Sequence, residues 1–149
     1  DSFGLHAEEI KKNITKYDEH YHGKYKPFTK KTRFRDFNHE QMTEHLNKIL
    51  YKKNSKLSTL VGYFPELKDN DMNKIKDLKF SFVHLDFDLY QSTIDTFNFV
   101  KDRLENNAII LFDDYNLINQ DGVKKAVRDL KIDLDKGIQT QSGQLIIFT

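Results

Sequence analysis

Four aspartates fall at the ends of two apolar runs, Val83-His84-Leu85-Asp86-Phe87-Asp88 and Leu111-Phe112-Asp113-Asp114-Tyr115. Carboxylates gathered at one place raise one another's energy unless a cation joins them, and an all-oxygen donor set favours Mg²⁺ or Ca²⁺. Asp86, Asp113 and Asp114 are therefore candidate ligands of a divalent cation. Asp88 reads differently: it precedes Leu89-Tyr90-Gln91, so it fits a helix N-cap with Gln91 closing a capping box. His84 lies within its apolar run and reads as a packed strand histidine. The absence of cysteine removes disulfides, thiolate metal sites and cysteine nucleophiles together.

The elements that would carry these residues alternate in type. Phe80–Asp86 predicts a strand, and residues 89–104 predict a helix with Leu89, Thr93, Phe97, Val100 and Leu104 facing inward. Ala108–Asp113 is apolar on both faces, as a buried parallel strand is. Val123, Ala126, Val127 and Leu130 mark a second amphipathic helix, and Gln144–Thr149 predicts a last strand after a turn at Ser142-Gly143. Strands alternating with helices give an α/β parallel sheet, in which ligands bind outside the carboxyl ends of the strands. A strand–helix–strand unit would bring both acidic ends to one sheet edge.

Upstream, Leu57-Ser58-Thr59-Leu60-Val61 predicts a short strand closed by Gly62. Asn38 as N-cap and Gln41 open a helix with Met42, Leu46, Ile49 and Leu50 on one face. Residues 18–35 are polar, aromatic and Lys-rich, the composition of a loop or lid, and residues 5–17 have near-helical apolar spacing.

The chain has 149 residues, 38% hydrophobic and 13% aromatic, which predicts a single domain able to bury a core. No apolar run reaches the roughly 20 residues of a membrane span. The net charge of +1 hides a segregation, with +4 over residues 1–53, −5 over 54–121 and +2 over 122–149. That balance is far from the basic footprint of a nucleic-acid binder. The lack of cysteine suits a cytoplasmic chain, and without a secretory signal the sequon Asn13-Ile14-Thr15 reads as chance.

Three blocks in order, Val83–Thr93, Phe112-Asp113-Asp114-Tyr115 and Gly122-Val123-Lys124-Lys125-Ala126-Val127, resemble the macrocin O-methyltransferase-like family. Asp1-Ser2-Phe3-Gly4 is similar to its acidic turn after the second strand, and Gly62-Tyr63-Phe64-Pro65-Glu66 to its segment after the third. The resemblance implies a class I, S-adenosylmethionine-dependent, Mg²⁺-requiring enzyme that methylates a sugar or glycan hydroxyl. It implies a Rossmann-like parallel sheet with an antiparallel C-terminal strand, and a homo-oligomer is left open. It makes Asp86, Asp113 and Asp114 the metal ligands and Asp86 also the general base. Asp1 and Ser2 would bind the cofactor's ribose side, and Gly62 and Tyr63 would lie beside its adenine. The chemistry is coherent: a divalent cation lowers the pKa of an alcohol, a carboxylate takes the proton, and positioning aligns oxygen, methyl and sulfonium.

The sequence departs from the family twice. Asn106-Asn107 stands where the family has a Gly pair, and Asn tolerates the left-handed turn required. The Gly-rich cofactor loop would precede Asp1, and so would two strands belonging between the 57–61 and 80–86 strands. This predicts a domain incomplete at its N-terminus which alone binds cofactor poorly and turns over negligibly. Two alternatives stay open. Asp86-Phe87-Asp88 followed by Asp113-Asp114 mimics a haloacid-dehalogenase-type phosphohydrolase, and a non-catalytic methyltransferase-like scaffold would need none of this chemistry.

Overall fold

Alternating apolar residues build the sheet. In the computed structural model, which describes residues 15–18, 39–51, 57–60, 62, 64, 67–116 and 121–149, β1 (Phe80–Leu85) pairs in parallel with β2 (Leu104–Phe112). The C-terminal strand β4 (Leu145–Phe148) lies antiparallel to β2, and the short β3 (Gly137–Gln139) lies antiparallel to β4, giving the order β1-β2-β4-β3. The register sets Ile110 between Val83 and Ile147, and Phe112 between Leu85 and Leu145. All six are buried on one face, where each contributes roughly 1.5–3 kcal/mol of hydrophobic stabilisation.

Two helices cover that face. α3 (Tyr90–Val100) contributes Thr93, Thr96 and Val100, and α4 (Asp121–Asp129) contributes Val123, Ala126 and Val127. Phe97 packs on Phe112 at 6.0 Å between ring centroids. The two earlier helices are α1 (His39–Tyr51) and α2 (Asp69–Ile75). Among the described residues, no helix is long and apolar enough to cross a membrane.

Several sequence expectations change. Residues 57–60 form no strand, because an extended segment needs a neighbour to complete its ladder and the described residues supply none there. The Thr43 hydroxyl instead meets that of Thr59 at 3.4 Å, holding the segment beside α1. The helix expected through 104 stops at Val100, and a 3₁₀ turn over Lys101–Arg103 leads straight into β2. Arg103 makes the stop: its guanidinium donates to the Phe99 carbonyl at 2.6 Å and the Lys76 carbonyl at 2.8 Å while lying over the Phe99 ring. Asn107 does adopt the left-handed backbone (φ +64), within a bulge between the pairs Phe80–Leu104 and Phe82–Ile109. α2 and β3 are additional elements. The 5–17 helix as far as residue 14, and lid residues 19–35, lie outside the described residues.

The opposite sheet face is also apolar. Phe82, Ile109 and Phe148 share one row, and His84, Leu111, Ile146 and Ile138 share the next. Phe82 is 57% exposed, Ile138 56% and Phe148 43%. Phe82→Thr keeps a good strand former and removes exposed apolar area. It is expected to reduce dye binding by hydrophobic probes and light scattering on concentration, with an unchanged melting temperature.

Candidate active site

The parallel register brings the acidic ends together. Leu85 pairs with Phe112, so the next residues, Asp86 and Asp113, leave adjoining strands side by side, with the Asp113 amide donating to the Leu85 carbonyl at 2.9 Å. Beyond Asp86 the chain turns within three residues: the Leu89 amide donates to the Phe87 carbonyl at 2.6 Å around Asp88, whose φ is +57. Asp114 is likewise left-handed, at φ +54. Among the described residues only four non-glycine residues have positive φ, and two of them stand here. Backbone strain of this kind is kept where the surroundings over-determine it.

Two groups of donor atoms result, each with its atoms within 4.8 Å of one another: His84, Asp86 and Asp113, and Asp86, Asp88 and Asp114. Asp86 belongs to both. The three acids expected as ligands are thus divided, Asp113 in one group and Asp114 in the other. Asp88 does not cap α3; the capping position is Leu89, with no side-chain bond, and Asp88 faces Asp114 instead. The capping-box pattern concealed it, since an Asp before a helix with Gln three later satisfies a cap and a ligand equally. His84 is not packed away: its side chain is 42% exposed, and its Nε2 lies 3.6 Å from Asp113 Oδ2. Strand alternation held that signal, because Val83 and Leu85 point inward and His84 must point out. Asp113 Oδ1 also accepts from Gln144 Nε2 at 3.0 Å, an orienting contact made only when β4 returns antiparallel.

The electrostatics bear the mark of crowded carboxylates. Burial pushes the Asp114 carboxyl up to about 8, aided by its hydrogen bond to Asp88 and the charges of Asp88, Asp113 and Asp86. Without a cation, this shift favours the protonated form of Asp114. Three carboxylates with oxygens within 4.8 Å of one another fit a hard divalent cation. The group containing His84 adds one nitrogen donor.

Of the residues expected at the cofactor, Gly62 is exposed, and Asp1, Ser2 and Tyr63 lie outside the described residues. The family model of the Macrocin-O-methyltransferase (TylF) family matches residues 29–142. The chain belongs to the macrocin O-methyltransferase family. No curated protein sequence matches significantly. The fold agrees with solved members of the methyltransferase class. The chain superposes on the O-methyltransferase NovP with a TM-score of 0.58 and 18% identity, covering 74% of this chain and 44% of that one. On apo CalS11, a TDP-rhamnose 3′-O-methyltransferase of calicheamicin biosynthesis, the values are 0.56 and 19%, with 73% and 49% covered. A further structure of CalS11, described as calicheamicin methyltransferase, gives 0.64 and 18%, with 99% and 58% covered. The chain thus spans about half the length of these proteins. The α/β class, with its parallel β1–β2 pair and antiparallel C-terminal strand, is the one the sequence predicts. Family membership leaves the phosphohydrolase reading without support.

Proposed function

We propose that this macrocin O-methyltransferase family protein transfers the methyl group of S-adenosylmethionine to a sugar hydroxyl, with a divalent cation such as Mg²⁺ at the carboxylate cluster. One observation carries this reading: Asp86, Asp88 and Asp114 place oxygen donors within 4.8 Å of one another at the carboxyl ends of two parallel strands. When bound, the cation supplies positive charge that lowers the pKa of an acceptor hydroxyl. Asp86, the exposed member, takes the hydroxyl proton. S-adenosylmethionine, when bound, would supply the methyl group for the ether and leave as S-adenosylhomocysteine. Asp113, held by Gln144, stays oriented beside Asp86 throughout. A sugar acceptor is supported by the family and by the likeness to CalS11, which acts on TDP-rhamnose.

Calorimetric titration of the intact protein, carrying the cofactor-loop portion expected before Asp1, with S-adenosylhomocysteine, with and without Mg²⁺, followed by methyl transfer from labelled S-adenosylmethionine to nucleotide sugars, tests the reading. Cofactor binding with cation-dependent transfer is expected. A protein that binds neither cofactor nor cation would instead be the non-catalytic scaffold.

A further inference from the structure

Asp18 is fully buried, and among the described residues it is the one charged side chain so enclosed. Its Oδ2 accepts from the Thr15 amide and the Thr15 hydroxyl, both at 2.8 Å, closing the turn over residues 15–18. Its Oδ1 reaches much further along the chain, accepting from the Tyr90 amide at 2.8 Å. Tyr90 is the first residue of α3, and the preceding Leu89 offers no side-chain acceptor. Asp18 therefore supplies, from a distant segment, the N-cap that the local sequence omits.

The same carboxylate fills space at the start of α4. A Cβ on Gly122 would stand 2.0 Å from Asp18 Oδ1 and 3.1 Å from the Tyr90 nitrogen. Only glycine leaves room there, so the first turns of α3 and α4 close on one buried charge, which both helix dipoles favour. The far end of Tyr90 is held too: its hydroxyl donates to Asp129 at 2.8 Å, and its ring lies 4.5 Å from that of Tyr17. Lys125 completes the clasp, over the Tyr17 ring and paired with Asp129.

What this clasp fixes is the strained turn immediately before Tyr90, where Asp88 stands at φ +57 and Asp86 begins the loop. We propose that Asp18 is a positioning residue for the Asp86–Asp88 loop, setting the separation of its carboxylates from Asp114 by capping α3 across the junction with α4. The proposal rests on the cluster being a cation site, and its closing experiment separates the two.

Mg²⁺ alone is titrated calorimetrically into the full chain and into Asp18→Ala, Gly122→Ala, the double variant and Val127→Ala, a buried α4 truncation that loosens the core without touching the clasp. Amide exchange at Asp88 and Tyr90 is followed by NMR. Asp18→Ala is expected to weaken Mg²⁺ binding about tenfold or more, as supporting groups behind metal ligands do, and to speed Tyr90 exchange by at least about tenfold. Gly122→Ala should reproduce both changes by displacing the carboxylate, and should add little in the Asp18→Ala background. Val127→Ala should keep near-native affinity despite a lower melting temperature. Native Mg²⁺ affinity in folded Asp18→Ala or Gly122→Ala, or equal loss in Val127→Ala, overturns the proposal. Should the native chain bind no Mg²⁺, the cation reading fails by itself. Asp18 is then judged on exchange at Asp88 and Tyr90, and unchanged protection in either clasp variant refutes its role.

Discussion

Asp86→Asn is expected to abolish saturable Mg²⁺ binding and, in the intact protein with its cofactor loop, to lower methyl transfer by about a hundredfold or more. Asp86 is shared by both donor groups, so no rearrangement among His84, Asp88, Asp113 and Asp114 restores either one without it. The carboxamide keeps the side-chain shape yet is neutral, a poor match for a hard dication. It also has no basicity, and a positioned general base is worth about 10²–10⁴ in rate. Asp113→Asn should cost less cation affinity, because Asp113 belongs to one group alone and the residues around Asp114 remain. Calorimetry with Mg²⁺ and single-turnover assays at matched pH measure both. Equal, small losses in the two variants would remove Asp86 from the centre of the chemistry.

The second large effect concerns pH without added cation. Asp114 is raised from its ordinary 3.8 to about 8, so the folded chain holds a proton that the unfolded chain releases. Its stabilising share is complete below 3.8 and disappears as pH rises through about 8. The cation-free protein should therefore lose melting temperature steadily across that window. Asp114→Asn cannot ionise, so it should flatten this slope and melt above the native chain at pH 8–9. Added Mg²⁺ should reverse the order, because the cation replaces the proton and stabilises only the chain that retains the carboxylate. Melting scans across pH, with chelator or Mg²⁺, test both halves. A native chain with no such slope would show that Asp114 ionises normally.

Local pattern and tertiary placement contributed differently. The alternation Val83-His84-Leu85 and the apolar run through Ile109-Ile110-Leu111-Phe112 are enough to predict β1 and the second half of β2, since burial of a sheet face leaves one period that works. The start of β2 at Leu104, by contrast, falls where a helix end and a turn are expected. The apolar positions Val123, Ala126 and Val127 do the same for α4. The 57–61 segment has equal local strand character and remains irregular over 57–60, because a strand is completed only by its neighbour. The end of α3 was equally hidden, depending on Arg103 reaching the carbonyls of Phe99 and Lys76.

The site divides along the same line. That acidic residues would leave two adjoining strands followed from the apolar runs and their spacing, and the three motif blocks carried the family. How the acids group was decided in three dimensions. A left-handed turn rotates Asp88 from a cap into the cluster, and β4 delivers Gln144 to Asp113. Asp18 closes α3 from 72 residues away. Side-chain type and periodicity record which groups are present and which face they take, because those depend on neighbours along the chain. Distances between carboxylates, and the upward shift of Asp114, depend on burial and on groups that only folding brings together.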